Sequence, residues 1–304
     1  MTRPGPTAVH RLPFTPPFYA AAFAGFLRAH LVVGVDAFTG GTYSRSVDGA
    51  HGPVPLEIDL PDPGEFAVTV RLGGAGSDHP AVLAQLRRFL DLDQDPAEVS
   101  TALGGDPIVG PLVRARPGLR VPGAFDPFQT AVFAILGQQV SLAAARTLDA
   151  RFHAALSPDG VRFPGPRTVA ALDAGELAGL LRVPGVRARA IVGTAAVFAD
   201  AGDHPVGAAG LAVADAEAVA RLRERLLAVS GVGPWTVDYL LFRCTVDSDA
   251  CVPGDLVLRQ ALARLTGAEA TLSPRAAQDL AEPWRPHRAR ALMHLWTYAA
   301  YDAG

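Results

Sequence analysis

The hydrophobic period of this 304-residue chain changes once, near residue 105, and this change constrains the fold more than any other feature. Before it, Leu56–Leu60 and Phe66–Leu72 alternate apolar and polar residues, which is typical of half-buried strands. After it, apolar residues recur with helical spacing between Asp or Ser starts and Gly or Pro stops. The sequence therefore predicts an α+β protein, with a mixed domain over residues 1–110 and an all-α domain over residues 111–304.

The mixed domain is expected to form an antiparallel sheet with helices packed on one face, and the turn-rich stretch 105–125 separates it from the all-α domain. Its predicted strands are Leu31–Phe38, Thr42–Val47, Val54–Leu60 and Glu65–Gly73, and its predicted helices are Ala20–His30, His79–Leu92 and Pro96–Leu103. Helices of the all-α domain are predicted over Phe128–Leu156, Arg167–Leu181, Arg187–Ala201, Ala214–Val229, Pro234–Arg243, Asp255–Leu265, Pro274–Trp284 and His287–Tyr301.

The basic residues of the chain exclude several classes of enzyme. All 27 are arginine, so the chain cannot form a lysine Schiff base and has no lysine for a phosphate-binding loop. The net charge is −3, which gives no global signal for nucleic acid. Residues 106–304 carry 20 Arg against 19 acidic residues, whereas residues 1–105 carry 7 against 11. An anionic ligand is therefore expected on the all-α domain.

The cysteine content and hydropathy favour a reducing, aqueous compartment. Cys244 and Cys251 are too few for a four-thiolate metal site or a disulfide framework, so packing is their expected role. No run of about 18 uncharged apolar residues is present, and the first residues lack the apolar core of a signal peptide. We expect a cytoplasmic protein with no membrane contact.

The segment around Gly231-Val232-Gly233 is the most specific motif. One helix is predicted to end at Val229 and the next to begin at Pro234, so the two glycines allow a tight turn with exposed amides. Such amides, with the positive end of the second helix, bind a phosphate, and outward carbonyls can hold a monovalent cation. A plain helical hairpin with a glycine turn is the alternative. The predicted phosphate-binding residues are Gly231, Gly233 and Thr236, and the predicted cation ligands are the carbonyls of Leu227, Val229 and Val232.

Asp255 follows Pro253 and Gly254 at the start of a predicted helix, about twenty residues after the glycine pair. An aspartate there commonly caps the helix and does nothing else. Its position close to a phosphate-binding turn is electrostatically unfavourable, however, which favours a use for the charge.

Taken together, these motifs resemble those of the helix-hairpin-helix base-excision superfamily, and within it the 3-methyladenine DNA glycosylase II family. The resemblance rests on GVGPWTVDYLLFRC followed by VPGD, and on FQTAVFAILGQQVSLAAARTL at Phe128–Leu148. It extends to RPGLRVPG at Arg116–Gly123, to the C-terminal ALMHLWTYAAY, and to the mixed N-terminal domain, which is expected to resemble half of a TATA-binding fold.

The resemblance implies hydrolysis of the N-glycosidic bond of alkylated purines in duplex DNA, by a monomer that leaves an abasic site. Asp255 matches the catalytic carboxylate, which stabilises an oxocarbenium-like sugar. Because an N-alkylated purine already carries positive charge, it leaves without a strong general acid. Neither the identity of the preferred lesion nor induction by alkylation is encoded in these motifs. Deaminated or bulkier lesions are alternative substrates, and the binding of damaged DNA without catalysis is an alternative function.

Several further residues match functional positions of the family. Trp235 and Tyr239 lie four apart on one helix face, as two aromatic residues of the base pocket would. Trp296 and Phe26 match other pocket positions, with core packing as the alternative for all four.

Gln138 and Gln139 are predicted to lie in the middle of the helix Phe128–Leu156. A hydrogen bond between helices is one role for their side-chain amides. The family places a wedge here that fills the space of the flipped base. Gln139 departs from the leucine of the enzyme most often described.

Two departures from related branches carry negative implications. Glycosylases that also cut the backbone use a lysine where this chain has Trp235, so no lyase activity is expected. The iron–sulfur branch has four cysteines after the Asp-bearing helix, whereas Cys244 and Cys251 precede it here. No cofactor beyond a structural monovalent cation is expected.

Overall fold

The computed structural model describes residues 8–157, 159–200, 216–244 and 248–301. Its single sheet has five antiparallel strands in the order β1-β5-β4-β3-β2. The strands are β1 (Ala8–Pro13), β2 (Ala37–Thr39), β3 (Thr42–Gly49), β4 (Gly52–Asp59) and β5 (Ala67–Leu72). The α+β class is confirmed.

The sheet forms because alternate residues of its strands turn to one apolar layer. Val54, Leu56 and Ile58 of β4 are at most 1% exposed, while their neighbours in sequence are partly or fully open to solvent. Phe23 of the helix Ala20–Ala29 and Leu86 of the helix His79–Phe89 pack against this face. The period of two in the sequence therefore predicted the buried face correctly.

Fourteen α-helices account for most of the remaining described residues. Those before the sequence's change of period are α1 (Ala20–Ala29), α2 (His79–Phe89) and α3 (Pro96–Leu103). After it come α4 (Gly110–Ala115), α5 (Pro127–Leu136), α6 (Leu142–Leu156), α7 (Pro166–Ala170), α8 (Ala174–Leu181), α9 (Gly185–Asp200), α10 (Ala216–Leu227), α11 (Pro234–Cys244), α12 (Leu256–Thr266), α13 (Pro274–Ala281) and α14 (Arg288–Trp296). Residues 214–215 of one predicted helix lie outside the described residues.

The predicted strand Leu31–Phe38 is wrong for most of its length, since only Ala37–Thr39 pairs as a strand. The Asp36 carboxylate accepts the Val32 amide at 3.0 Å, and the Asp36 amide returns to the Val32 carbonyl at 2.8 Å. This local turn outcompetes the ladder that the valines favour. Strand β1 lies ahead of the predicted strands and pairs with β5 at the sheet edge.

The long helix predicted over Phe128–Leu156 is also wrong, because the chain breaks between α5 and α6. Gln139 has φ +58° in the turn, and the Ser141 hydroxyl accepts the Ala144 amide at 3.2 Å to cap α6. Gln138 and Gln139 are therefore turn residues and not mid-helix residues. The helix predicted over Arg167–Leu181 is likewise two helices, because Asp173 caps α8.

The helices build two apolar cores that share α11. Val237 and Leu240 of α11 pack into one core with Phe128 and Phe152, whereas Tyr239 and Phe242 pack into the other. The second core includes Phe26 of α1, Leu262 of α12 and Trp296 of α14. Helix α11 thus contributes residues to both cores, and the candidate site lies along it. Over the described ranges, no helix is long and apolar enough to cross a membrane.

Candidate active site

Asp255 lies at the start of α12 and is 8% exposed. Its Oδ1 accepts the Leu258 amide at 2.8 Å, which is the capping contact expected of an aspartate at this position. The turn before it is closed by a hydrogen bond from the Asp255 amide to the Val252 carbonyl. Capping alone therefore accounts for one of the contacts of this carboxylate.

Two indoles supply further donors to the same carboxylate. Trp235 Nε1 donates to Asp255 Oδ2 at 3.1 Å, and Trp296 Nε1 donates to Asp255 Oδ1 at 2.9 Å. Capping requires neither of these contacts. Because the three donors come from α11, α12 and α14, the carboxylate is fixed by three separate elements, as a preorganised electrostatic group needs to be.

The aromatic rings around Asp255 form one cluster. Trp235 stacks on Tyr239 with centroids 5.5 Å apart and an interplanar angle of 18°. Tyr239 and Trp296 lie 6.0 Å apart, and Phe242 meets Trp296 edge-on at 4.9 Å. The structure thus brings the predicted residues Trp235, Tyr239 and Trp296 together beside the predicted carboxylate.

Phe26, the fourth predicted aromatic residue, is 2% exposed and lines a cavity together with Tyr239 and Arg243. The Arg243 guanidinium carbon is 4.5 Å from the centroid of the Phe26 ring, and Arg243 Nη1 donates to the Tyr239 hydroxyl at 3.0 Å. Arg243 was not among the site residues predicted from the sequence. Its spacing of four from Tyr239 was the available signal.

His30 is a second group at this place that was not predicted from the sequence. Its ring stacks on Phe26 with centroids 4.0 Å apart, and its Nδ1 lies 2.9 Å from the Phe26 carbonyl. Burial, followed by the charge of Arg243, lowers the pKa of His30 to about 3, so the imidazole is neutral. A cavity of about 70 Å³ lies here, with Phe133, Tyr239 and Arg243 also in its wall.

The turn between α10 and α11 requires glycine at one position. Gly231 has φ +88°, and a Cβ there would lie 3.1 Å from the Ala190 Cβ and 3.3 Å from the Val186 carbonyl oxygen. A Cβ on Gly233 would meet nothing within 4 Å. Among the residues that the structure describes, the Gly231 and Gly233 amides donate to no backbone acceptor outside the helices. This surface can approach an anion closely.

Gln138 joins this turn to the one between α5 and α6. Its Nε2 donates to the Gly231 carbonyl and to Thr236 Oγ1, both at 3.0 Å, while Arg187 Nη2 donates to the Gln138 carbonyl at 2.6 Å. Thr236 is 3% exposed, and its amide donates to the Gly233 carbonyl, so its polar groups face the protein. Gln139 is exposed at the tip of the turn.

The proposed cation ligands belong to the end of α10 and the turn that follows. The Val229 carbonyl accepts the Val232 amide at 3.0 Å, which leaves its second lone pair for another partner. Leu227 is 39% exposed, whereas Val232 is 7% exposed. These neutral oxygens suit a hard monovalent cation better than a transition metal.

Both cysteines are free thiols outside this cluster. Burial raises the pKa of Cys244 to about 12, and burial also raises the pKa of Cys251. Both side chains pack against apolar residues, and neither forms a reactive thiolate.

Two family models match consecutive parts of the chain. The AlkA N-terminal domain matches residues 9–126, and the HhH-GPD superfamily base excision DNA repair protein matches residues 132–286. The second match contains the glycine turn, Trp235, Tyr239 and Asp255.

Two bacterial relatives align with nearly the whole chain. The probable bifunctional transcriptional activator/DNA repair enzyme AlkA of Mycobacterium tuberculosis is 35% identical over 299 residues, which cover 94% of this chain and 56% of that protein. DNA-3-methyladenine glycosylase 2 of Escherichia coli is 33% identical over 297 residues, which cover 95% of this chain and 96% of that protein. The chain thus spans little more than half the length of the mycobacterial relative.

Solved structures share the fold at low sequence identity. The 3-methyladenine DNA-glycosylase from Archaeoglobus fulgidus has a TM-score of 0.77 at 18% identity, over 98% of this chain and 99% of that one. The 8-oxoguanine glycosylase/lyase of Clostridium acetobutylicum in complex with double-stranded DNA has a TM-score of 0.69 at 15% identity, over 98% and 99% of the two chains.

Proposed function

The chain belongs to the HhH-GPD superfamily of base excision DNA repair proteins, and on that premise we propose that it is a DNA glycosylase for alkylated purines. Its substrates would be bases of the 3-methyladenine and 7-methylguanine type in duplex DNA. The observation that carries the proposal is the carboxylate of Asp255, held by two indoles inside an aromatic cluster. A helix cap alone would need neither indole.

The target base must leave the duplex to reach this carboxylate. Electron-rich rings such as those of Trp235, Tyr239 and Trp296 suit a purine that carries positive charge. Tyr239 and Trp296 are 8% and 6% exposed, so a base can stack among them only after the rings separate. We infer that side-chain movement in this cluster accompanies base flipping.

Cleavage then breaks the bond between C1′ of the sugar and the purine nitrogen. The electron pair leaves with the base and cancels its positive charge, while positive charge develops on the sugar. Asp255 stabilises that charge and orients the water that attacks C1′. The products are the free base and an abasic site.

The glycine turn would hold one phosphate of the duplex through the Gly231 and Gly233 amides, at the N-terminal end of α11. Thr236 would support this site from within, through Gln138. The carbonyls of Leu227, Val229 and Val232 would hold a monovalent cation, which would neutralise part of the phosphate charge. A phosphate-binding site of this kind contributes no specificity for the base sequence of the duplex.

Gln139 would occupy the space that the flipped nucleotide vacates. It is exposed at the tip of the α5–α6 turn, next to Val140, which is 38% exposed. Its amide can donate to and accept from the base left unpaired on the opposite strand.

The reaction would stop at the abasic site. Strand scission by β-elimination needs an imine between an amine and the sugar aldehyde, and the chain contains no lysine. Borohydride should therefore trap no covalent protein–DNA adduct. Adduct formation at the rate of base release would contradict this part of the proposal.

The test is a panel of duplexes that carry single lesions, scored for base release with and without hot alkali. We expect release of 3-methyladenine and 7-methylguanine, with strand breaks only after alkali. Tight binding to these duplexes without release of any base would instead favour a non-catalytic protein that binds damaged DNA. Release of deaminated or etheno bases alone would overturn the proposed substrate class.

A further inference from the structure

Two histidines of the sheet domain, His10 and His79, face each other at the edge of the sheet. His10 lies in the edge strand β1, and His79 is the first residue of α2. Their ring centroids are 5.3 Å apart with the ring planes at 89°, and His10 Nε2 lies 3.3 Å from His79 Nδ1. The two imidazoles therefore meet through one nitrogen of each ring.

The tautomer of His79 follows from the contact of its other ring nitrogen. His79 Nε2 lies 3.1 Å from the Gly73 carbonyl oxygen, which can only accept a hydrogen bond, so Nε2 carries the proton. In the neutral ring, Nδ1 then presents a lone pair to His10. A backbone carbonyl on the outer nitrogen is typical of histidines that bind a metal ion, because it fixes both the tautomer and the orientation of the ring.

The distance between the two facing nitrogens indicates a second role for the pair. Hydrogen bonds from N–H groups to oxygen mostly measure about 2.7–3.2 Å, so 3.3 Å is long for a hydrogen bond. Two nitrogens that bind one tetrahedral Zn²⁺, each at about 2.0–2.1 Å, lie about 3.3–3.4 Å apart. The rings are therefore spaced as two ligands of one metal ion, and His10 Nε2 donates to His79 Nδ1 when no metal is bound.

The pair can be reached from solvent on the side of His10. His79 is 7% exposed, whereas His10 is partly exposed. Among the residues that the structure describes, no group of three or more histidine, cysteine, aspartate or glutamate side chains is placed to hold a metal ion. Water would therefore fill the remaining coordination positions, and an ion held by two imidazoles would exchange with solvent.

We propose that His10 and His79 form a binding site for a divalent transition metal such as Zn²⁺. Imidazole nitrogens suit such ions, whereas Mg²⁺ and Ca²⁺ prefer oxygen ligands. His79 binds the ion through Nδ1 and keeps its hydrogen bond to Gly73. His10 binds through Nε2, and the proton of that nitrogen passes through solvent to Nδ1, so no net proton is released. The ion ties the edge strand to a helix that begins 69 residues later, and this role is independent of the proposed glycosylase function.

The experiment is equilibrium dialysis of the EDTA-treated full chain against ZnCl₂ at pH 8, where free imidazoles are neutral. The wild type should bind one equivalent of Zn²⁺ at this site, and Mg²⁺ should not compete. His10→Gln and His79→Gln should each lower the affinity at least about tenfold. Zn²⁺ at about a hundredfold excess over its Kd should raise the melting temperature of the wild type by about 5 °C, and His10→Gln should lose this rise.

His51→Gln is the matched control, because His51 is another imidazole close to the start of α2, with its Nδ1 2.8 Å from Asp78 Oδ1. This variant should bind Zn²⁺ as the wild type does. Proton–nitrogen NMR correlations of the rings should show His10 changing from the Nε2–H to the Nδ1–H tautomer on Zn²⁺ addition, while His79 keeps its Nε2 proton. His10 is partly exposed, so His10→Gln keeps the test valid if His79→Gln does not fold. Absence of saturable Zn²⁺ binding, unchanged affinity in His10→Gln, or an equal loss in His51→Gln would overturn the inference.

Discussion

Replacing Trp296 with phenylalanine tests whether the indole donors fix the carboxylate of Asp255 for the proposed reaction. Trp296→Phe removes the 2.9 Å hydrogen bond to Asp255 Oδ1 but keeps an aromatic ring against Phe242. Asp255 retains the Leu258 amide and the Trp235 indole as donors. The variant therefore isolates one contact, and the helix cap stays in place.

The magnitude follows from the strength of a hydrogen bond to a charged acceptor, about 1.5–3 kcal/mol. If that contact holds the carboxylate in its productive orientation, its loss lowers the rate of base release by about 10- to 100-fold. The assay is single-turnover release of 7-methylguanine under saturating enzyme, so that product release and binding do not enter.

Trp284→Phe is the matched control. Trp284 is 1% exposed, and its indole donates to Asp106 Oδ2 at 2.9 Å, so the same substitution breaks the same kind of bond elsewhere. This variant should lower the melting temperature while its folded fraction reacts at the wild-type rate. A near wild-type rate for Trp296→Phe, or an equal rate loss in both variants, would refute the positioning argument.

Three further predictions concern the turn, the charge and the core. Gly231→Ala should lower both stability and duplex affinity, because Gly231 has φ +88° and the new Cβ lies 3.1 Å from that of Ala190. Gly233→Ala should lower duplex affinity alone, because its Cβ would meet no protein atom within 4 Å. Thermal melts measure the change in stability, and binding titrations measure the change in affinity. Duplex affinity should fall with salt on a log–log slope shallower than about −10, because amides replace few counterions; a slope that steep would reveal an arginine-lined surface. Burial raises the pKa of Asp149 from 3.8 to about 8, so the folded state keeps a proton that the unfolded chain loses, and stability falls as pH rises from about 4 to 8. Asp149→Asn should therefore stabilise the fold by roughly 2–4 kcal/mol at pH 7 and by almost nothing near pH 4, whereas a pH-independent gain in urea unfolding would contradict this reasoning.

Local patterns predicted the elements that depend on local interactions. The alternation in β4 and β5, and the glycine pair flanked by helices, correctly placed the sheet and the turn before α11. The spacing of Trp235 and Tyr239 predicted their shared face, because i and i+4 positions are neighbours on any helix.

The wrong predictions lie where a local sequence pattern continues through a turn of the chain. The segment Ile135–Leu142 contains Gly137, where α5 ends, and Ser141, which caps α6. The turn at Gln139 was missed because the apolar residues on both sides keep a helical spacing and glutamine is a good helix former. At residues 31–36, the β-branched valines favour a strand, but the Asp36 side chain stabilises a turn instead.

The missed site residues depend on contacts that are distant in sequence. Arg243 bonds to the carbonyls of Pro122 and Gly123, about 120 residues earlier, and these contacts help to hold its guanidinium beside Phe26. An arginine at the end of an amphipathic helix more commonly faces solvent or interacts with the helix dipole. The spacing of four from Tyr239 places Arg243 on the same helix face, but that spacing alone does not predict its burial.

The central claim, that the carboxylate of Asp255 drives glycosidic cleavage, is tested most directly by Asp255→Asn. The asparagine side chain can still cap α12 and accept a hydrogen bond from one indole. It carries no charge, however, and cannot accept hydrogen bonds from both indoles. Single-turnover release of 7-methylguanine from a duplex should fall by at least about 10²–10³-fold. Affinity for the same duplex should be retained or rise, since a negative charge near phosphate is gone. Turnover close to wild type in a folded, DNA-binding Asn variant would contradict the account.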